Sequence, residues 1–350
     1  MNQESSSQVV AALHKLVAGT SLARAEAQAL MEEILAGHTT EAQLGALLAA
    51  LRLKGETVDE LIGFAEAMRA HAQPIFPDQL LLAQEPLLDT CGTGGDGAGT
   101  FNVSTAAALV AAAAGVRVAK HGNRSISSHC GSADVMEALG VNIHLEPARI
   151  GACVRAVGIG FVFAPLVHTA MQHAQKARRE IRFRSVFNLL GPLTNPARVN
   201  AQVLGVFDPR WLEPVAEALG ALGTRRAFVV HSQDGLDEVS VSASTQVAEL
   251  HLGRVSRYEV RPEDFDLQAA PLDGIRGGDA ATNAGMIRRV LDGEPGPART
   301  VVLVNTALAL VAAGRASGPR EAAGVAAQAI DSGLAKQTLA RLVDFTRSSA

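Results

Sequence analysis

At 350 residues the chain is too long for one ordinary core, which points to two domains or to one large domain carrying a smaller one. Hydrophobic residues make up a normal globular 48%, but aromatics only 4%; this disfavours an all-β sandwich and favours closely packed helices. With a net charge of −4, nothing in the overall balance calls for nucleic acid, and an anionic ligand has to be met by a local basic pocket.

The opening residues, Met1 to Ser7, are polar and form neither a basic n-region nor an apolar h-region, so no signal peptide is expected. From there to about Ala72 the pattern is helical throughout. Thr40 to Gln43 and Thr57 to Glu60 are capping boxes, each leading into an apolar periodic stretch, Leu44 to Leu53 and Leu61 to Met68. Gly37 and Gly55 are placed to end the preceding helices, and Pro74 and Pro77 mark a break. The stripe containing Leu44, Leu47, Leu48 and Leu51 offers more apolar surface than a small bundle needs, which suggests a dimer contact in this region.

Beyond Pro86 short β-rich runs alternate with helical patterns: Leu87–Asp89, Val116–Lys120, Gly160–Ala164, Val203–Phe207 and Ala227–His231. Such alternation implies βαβ units and a mostly parallel sheet. The chain reads as helical again from Asp279, with a strand-like Thr300–Val304 inside it. The expected fold class is α/β: a small helical domain over residues 1–75, and a large α/β domain over 76–350 with room for a few of its helices to return to the first. The longest apolar run, Thr105 to Val116, is too short for a membrane span and fits a buried helix. Cys91, Cys130 and Cys153 suit neither a disulfide framework nor a zinc site, so a reducing cytoplasm is the natural setting.

Four motifs carry chemistry. Asp89-Thr-Cys-Gly-Thr-Gly-Gly-Asp96, followed by Thr100-Phe-Asn-Val-Ser-Thr105, runs from a strand end into a helix. Its glycines let backbone amides approach an oxyanion, and Asn102, Ser104 and Thr105 add donors; the bland alternative is a glycine-rich βα turn with an ordinary cap. Lys120-His-Gly-Asn-Arg-Ser-Ile-Ser-Ser128 follows the next strand and concentrates donors for phosphate and sugar oxygens. A single such turn would be a solvated loop, but two donor-rich loops after successive strands are harder to dismiss. Asp237-Glu238 offers hard oxygen ligands for Mg²⁺, although an adjacent acidic pair is more commonly a solvated turn. Between Pro165 and Pro196 lie His168, Arg178, Arg179, Arg182 and Arg184, an inventory for carboxylate or phosphate that could equally be a solvated helix face.

Together these residues resemble anthranilate phosphoribosyltransferases. Gly92–Asp96 with Thr100–Thr105, the intact Lys120–Arg124 with Gly131-Ser-Ala-Asp134, the complete Phe187–Pro196 signature, and the N-terminal pattern around Gln43, Leu51–Thr57 and Met68-Arg69 appear in the family's order along the whole chain. One departure is local. Where the family usually reads Arg-Lys-Glu-Leu-Gly-x-Arg-Thr, this chain has Arg178-Arg-Glu-Ile-Arg-Phe-Arg-Ser185, so the Leu-Gly pair is replaced.

The resemblance implies the nucleoside phosphorylase-like transferase fold and a homodimer built through the helical domain. It implies that phosphoribosyl diphosphate is held by Gly92, Gly95, Asp96, Thr100, Asn102, Val103, Ser104, Thr105, Lys120, His121, Gly122, Asn123, Arg124, Ser125, Ile126, Ser127, Ser128 and Ser132. Gly92, Asn123, Pro165, His168 and Arg178 would contact anthranilate, the arginine through its carboxylate. Ser104, Asp237 and Glu238 would bind Mg²⁺, two ions per monomer. No covalent nucleophile or obligatory base is implied, nor any nucleic-acid or membrane partner. The rival readings are a pyrimidine nucleoside phosphorylase of the same fold, which would not require the acidic pair, and a non-enzymatic nucleic-acid-binding relative, which would need a basic surface.

Overall fold

The computed structural model describes residues 3–76, 85–125 and 130–348; Pro77, Ile126, Ser127 and Ser128 therefore lie outside the described residues. Four helices come first: α1 Gln3–Val17, α2 Arg24–Leu35, α3 Glu41–Lys54 and α4 Val58–His71. Both capping boxes form. Thr40 and Thr57 accept the amides of Gln43 and Glu60, whose side chains reach back to the cap amides. Gly37 and Gly55, both at positive φ, follow the ends of α2 and α3.

The remainder is an α/β fold around one seven-stranded sheet ordered β3-β2-β1-β4-β5-β6-β7. The strands are β1 Leu87–Gly92, β2 Arg117–Gly122, β3 Ile159–Phe163, β4 Ala201–Gly205, β5 Arg226–Ser232, β6 Thr245–His251 and β7 Arg254–Val260. The first five pair in parallel, as the alternating pattern suggests. β6 and β7 form an antiparallel hairpin on the β5 edge that the sequence reading did not identify. Its turn is Leu252-Gly253, both residues at positive φ, the backbone a tight hairpin requires.

Helices cover both faces. On one face α5 Val103–Ala113 lies in a large apolar cluster with α12 Ala280–Leu291, α13 Pro297–Ala312, α14 Pro319–Asp331 and α15 Leu334–Arg347; α6 Ser132–Leu139 and α7 Pro147–Val157 extend it. The alanines of α5 from Ala106 to Ala112 are all buried, so this helix packs close to its neighbours. Thr300–Val304 is not a strand but part of α13. Pro297 starts that helix, and residues 301–312 are buried all round. A helix buried on every side shows no apolar stripe, so its β-branched run mimics a strand.

On the other face α1–α4 share one apolar cluster with α9 Gln172–Ile181, α10 Val186–Leu193 and α11 Leu212–Ala221. Leu44, Leu47, Leu48 and Leu51 are at most 2% exposed within this cluster, so the surplus stripe that suggested a dimer contact is satisfied inside the chain. The surface that covers it comes from α1 together with α9 and α10, and sequence periodicity alone could not assign the last two to the bundle. Arg69 fastens the two parts together by donating to the carbonyls of Leu193 and Leu222, both at 2.7 Å, at the C-terminal ends of α10 and α11.

Candidate functional site

The sheet order reverses at β1: the chain runs outward through β2 and β3, then returns to β4 on the other side. Crevices at such switch points, beyond the carboxyl ends of the strands, are the ligand sites of open α/β sheets. Here β1 and β4 end in register on two glycines, Gly92 opposite Gly205. A Cβ on either would overlap Asp237, its side chain at Gly92 and its backbone at Gly205. The paired glycines thus form a notch in which the loop after β5 lays its acidic residues across the switch point.

That loop is tightly held. Asn305 of α13 accepts the Val239 amide at 2.9 Å and donates to the Val239 carbonyl at 3.0 Å. Asp234 accepts the hydroxyls of Ser232, Ser240 and Ser242. Asp237 and Glu238 consequently face the first motif: the Gly94 amide donates to Asp237 Oδ2 at 2.8 Å, and the Ser104 amide, in the first turn of α5, donates to Glu238 Oε1 at 3.2 Å. Both carboxyls are pushed well above the ordinary carboxylate range, first by withdrawal from water and then by neighbouring acids, Asp96 beside Asp237 and Asp237 beside Glu238.

The donor set fits a divalent cation. Two carboxyls crowded together, with Asp96 adjacent, repel one another in a partly dry site, and bound positive charge relieves that. Among the described residues no group of three or more His, Cys, Asp and Glu is arranged to hold a metal alone. Mg²⁺ commonly takes one or two carboxylates and completes its shell with phosphate oxygens and water, a role open to Asp237 and Glu238.

The first motif forms an open turn. Gly94, Gly95, Gly97 and Gly99 all have positive φ, Asp96 Oδ1 accepts the Ala98 amide at 3.2 Å, and Thr100 bridges Arg276. No acceptor among the described residues takes the amides of Gly95, Asp96 or Gly97. Asn102 precedes α5, donating to the Cys130 carbonyl at 3.2 Å and accepting from Asn283 at 3.0 Å. Val103 and Thr105 are buried, and Thr105 Oγ1 has no hydrogen-bond partner among the described residues.

The second motif divides. Lys120 is 1% exposed; its ammonium donates to the Thr90 carbonyl at 2.6 Å and to Ser104 Oγ at 3.3 Å, lying beneath the first motif rather than in the open loop. Gly122 closes against Ser132, whose hydroxyl accepts the Asn123 amide at 3.2 Å. Asn123 and Arg124 are exposed, and the Arg124 guanidinium pairs with Asp134 at 2.8 Å and Glu137 at 2.6 Å. The Ser125 amide donates to Asp134 at 3.2 Å.

His121 packs against His168, with ring centroids 5.2 Å apart. Burial lowers them to about 3 and about 4, so both are neutral at pH 7. The backbones of Gly191 and Thr194 hydrogen-bond to them, and both Nε2 atoms lack a partner among the described residues. Pro165, in the short helix α8 Ala164–Val167 that precedes His168, is exposed. Arg178, near the end of α9, lies over the Phe187 ring at 4.9 Å. Its pKa is lowered by burial alone, no acid opposing the shift.

Comparison with known proteins places this geometry. Residues 10–72 match the Glycosyl transferase family helical bundle domain and residues 84–336 its a/b domain. The chain is 52% identical over 336 residues to an anthranilate phosphoribosyltransferase of Symbiobacterium thermophilum, covering 96% of this chain and 97% of that one. The chain belongs to the anthranilate phosphoribosyltransferase family. Solved structures agree. The enzyme from Thermus thermophilus superposes with a TM-score of 0.90 at 44% identity, covering 96% of this chain and 99% of that one. The enzyme from Saccharomyces cerevisiae, in complex with PRPP and Mg, does so at 0.87 and 26%, covering 98% and 99%.

Against the family's usual pattern, the 178–185 segment carries Arg182 where that pattern has glycine. Arg182 occupies the C-cap of α9 at φ 51, a left-handed position that favours glycine. Its residue is exposed. We expect Arg182→Gly to stabilise the protein by about 1 kcal/mol and to raise Tm by roughly 1–3 °C. An unchanged or lower Tm in a calorimetric scan would show that the arginine side chain compensates for its backbone.

Sequence reasoning assigned no role to several residues that build the site. Buried Asp89 accepts the His121 amide at 3.1 Å and the Asn195 side chain at 2.9 Å, joining the first, second and fourth motifs. Both lie inside quoted motifs, and their polarity in apolar surroundings was the available signal. Asp234 and Asn305 lie in no motif, and only the fold brings them to the acidic loop.

Proposed function

We propose that this chain transfers the 5-phosphoribosyl group from phosphoribosyl diphosphate to the amine of anthranilate, giving N-(5-phosphoribosyl)anthranilate and diphosphate, the second step of tryptophan synthesis from chorismate. The observation that carries this reading is the seating of Asp237 and Glu238 in the Gly92–Gly205 notch, directly against an amide-rich turn with unclaimed N–H groups. A pyrimidine nucleoside phosphorylase would have no use for that acidic pair.

The free amides of Gly95, Asp96 and Gly97 and the first turn of α5 bind the donor's oxyanions. Asp237, Glu238 and Ser104 would hold Mg²⁺, which when bound neutralises charge on the departing diphosphate. Asp237 faces Gly94 and Glu238 faces Ser104, a divergence that suits two ions per chain. Arg178 takes the acceptor's carboxylate and neutral His168 lines the acceptor side, packed against His121 of the donor loop. The aromatic amine is already neutral at pH 7, so its lone pair attacks C1 of the ribose without a strong base. The transition state is oxocarbenium-like with inversion, and catalysis is mainly positioning and electrostatics. The test is the reaction itself: anthranilate fluorescence should be lost only when protein, donor and Mg²⁺ are all present.

Among the described residues no helix is long and apolar enough to cross a membrane. The three cysteines are free, which suits the cytoplasm. We also propose a homodimer through the helical domain. With the α3 stripe buried, its support is Val17 at 71% and Leu53 at 87% exposure on the neighbouring helices α1 and α3. Sedimentation at micromolar concentration should give twice the chain mass; a monomer would remove this assignment.

A further inference from the structure

Arg184 lies six residues beyond Arg178, in the turn between α9 and α10, yet its side chain reaches the first motif. Its guanidinium donates through Nη2 to the Gly95 carbonyl and lies over the Phe207 ring at 4.6 Å. A Cβ on Gly95 would approach Arg184 Nε at 3.0 Å. Phe207 is itself tied to the motif, since its amide donates to Thr93 Oγ1 at 3.0 Å. Among the described residues Arg184 has no acidic partner within ion-pair distance, so what it holds is a backbone carbonyl and an aromatic face.

We infer that Arg184 is a positioning residue that latches the Gly95–Asp96 peptide plane, so that the Asp96 amide points into the diphosphate site. A trans peptide fixes its carbonyl and the following N–H in opposite directions. Holding the Gly95 carbonyl toward Arg184 therefore directs the Asp96 N–H away from it. Turning that plane changes ψ of Gly95 and φ of Asp96; the glycine restricts the first little, and Asp is among the residues that reach positive φ most readily, so an unheld plane here turns over at modest cost. The loop is pinned on its other side by the Gly94 amide on Asp237 at 2.8 Å, and among the described residues Arg184 is what holds the Gly95 carbonyl. Stacking on Phe207 keeps the guanidinium in one orientation. The latch comes from the segment that carries Arg178, so the acceptor side of the site braces the donor loop.

This inference rests on the proposed donor site, but its test does not require turnover. Calorimetric titration with inorganic diphosphate plus Mg²⁺ compares wild type, Arg184→Ala, Arg184→Lys and Phe207→Leu, with anthranilate titrated separately. Arg184→Ala should weaken diphosphate binding about tenfold and raise the donor KM similarly, with anthranilate affinity changed less than threefold. Arg184→Lys, which keeps a donor for the carbonyl, should recover most of the loss. Phe207→Leu should show a smaller loss of the same selectivity. Unaltered diphosphate binding in Arg184→Ala would overturn the latch, as would equal weakening for both ligands. Loss in Arg184→Ala with none in Phe207→Leu would assign the guanidinium to the ligand itself and also overturn it. A wild type that binds diphosphate but transfers nothing would sink the functional reading, while the comparison between variants would still decide the latch.

Discussion

Replacing both acidic residues at the switch point, Asp237→Asn with Glu238→Gln, should nearly abolish activity at ordinary Mg²⁺ while leaving the protein folded. The amides keep an acceptor for the Gly94 and Ser104 N–H groups, so the notch retains its hydrogen bonds. What disappears is the charge that holds the metal. Metal-ion stabilisation of a leaving group supplies several kcal/mol, so a loss of about 10³-fold in kcat/KM is expected. Stability should move the other way. Both acids have folded-state pKa values raised by burial and then by a neighbouring acid, Asp96 for Asp237 and Asp237 for Glu238, so their ionised forms cost stability progressively as pH rises toward and through those values. Removing the charges at pH 7 should leave Tm equal or higher. Full activity in the double variant would reduce the pair to a structural turn. Lost activity with a lower Tm would assign it to folding.

Arg178→Ala should raise the Michaelis constant for anthranilate while leaving that for the donor nearly unchanged. Arg178 is half-buried over Phe187, and burial is the sole cause of its lowered pKa. A guanidinium partly removed from water without a carboxylate is costly unless a ligand supplies one. A charged hydrogen-bonded contact is worth about 1.5–3 kcal/mol, so the expected rise is roughly 10- to 100-fold. An equal rise for both substrates would place Arg178 in phosphate binding or in folding.

The parts of the fold visible in the sequence were those set by local chemistry. Thr40 and Thr57 announced α3 and α4 because a capping box is a short-range device. The parallel strands β1–β5 were found through runs that lead into ligand loops. The chain was misread where tertiary context decides. Thr300–Val304 looked like a strand because α13 is buried on every side. The hairpin β6–β7 escaped notice although Gly253 and the alternation around it were legible. The leucine stripe of α3 was taken for a subunit contact because α9 and α10, which share its cover with α1, are over a hundred residues away. In the site, the motifs named the loops but not what orders them: the seat of Asp237 depends on Gly205, the loop behind it on Asp234 and Asn305, and Arg184 meets Gly95 only in the folded chain.

The most direct measurement follows anthranilate fluorescence after mixing the protein with phosphoribosyl diphosphate and Mg²⁺, with a parallel incubation of thymidine and phosphate. Fluorescence should disappear with release of one diphosphate per anthranilate, EDTA should stop the loss and added Mg²⁺ restore it, and thymidine should yield no free base. Persistent fluorescence alongside release of thymine would make the protein a phosphorylase instead. Silence in both reactions from well-folded protein would contradict the transferase reading as well and leave a binding protein in its place.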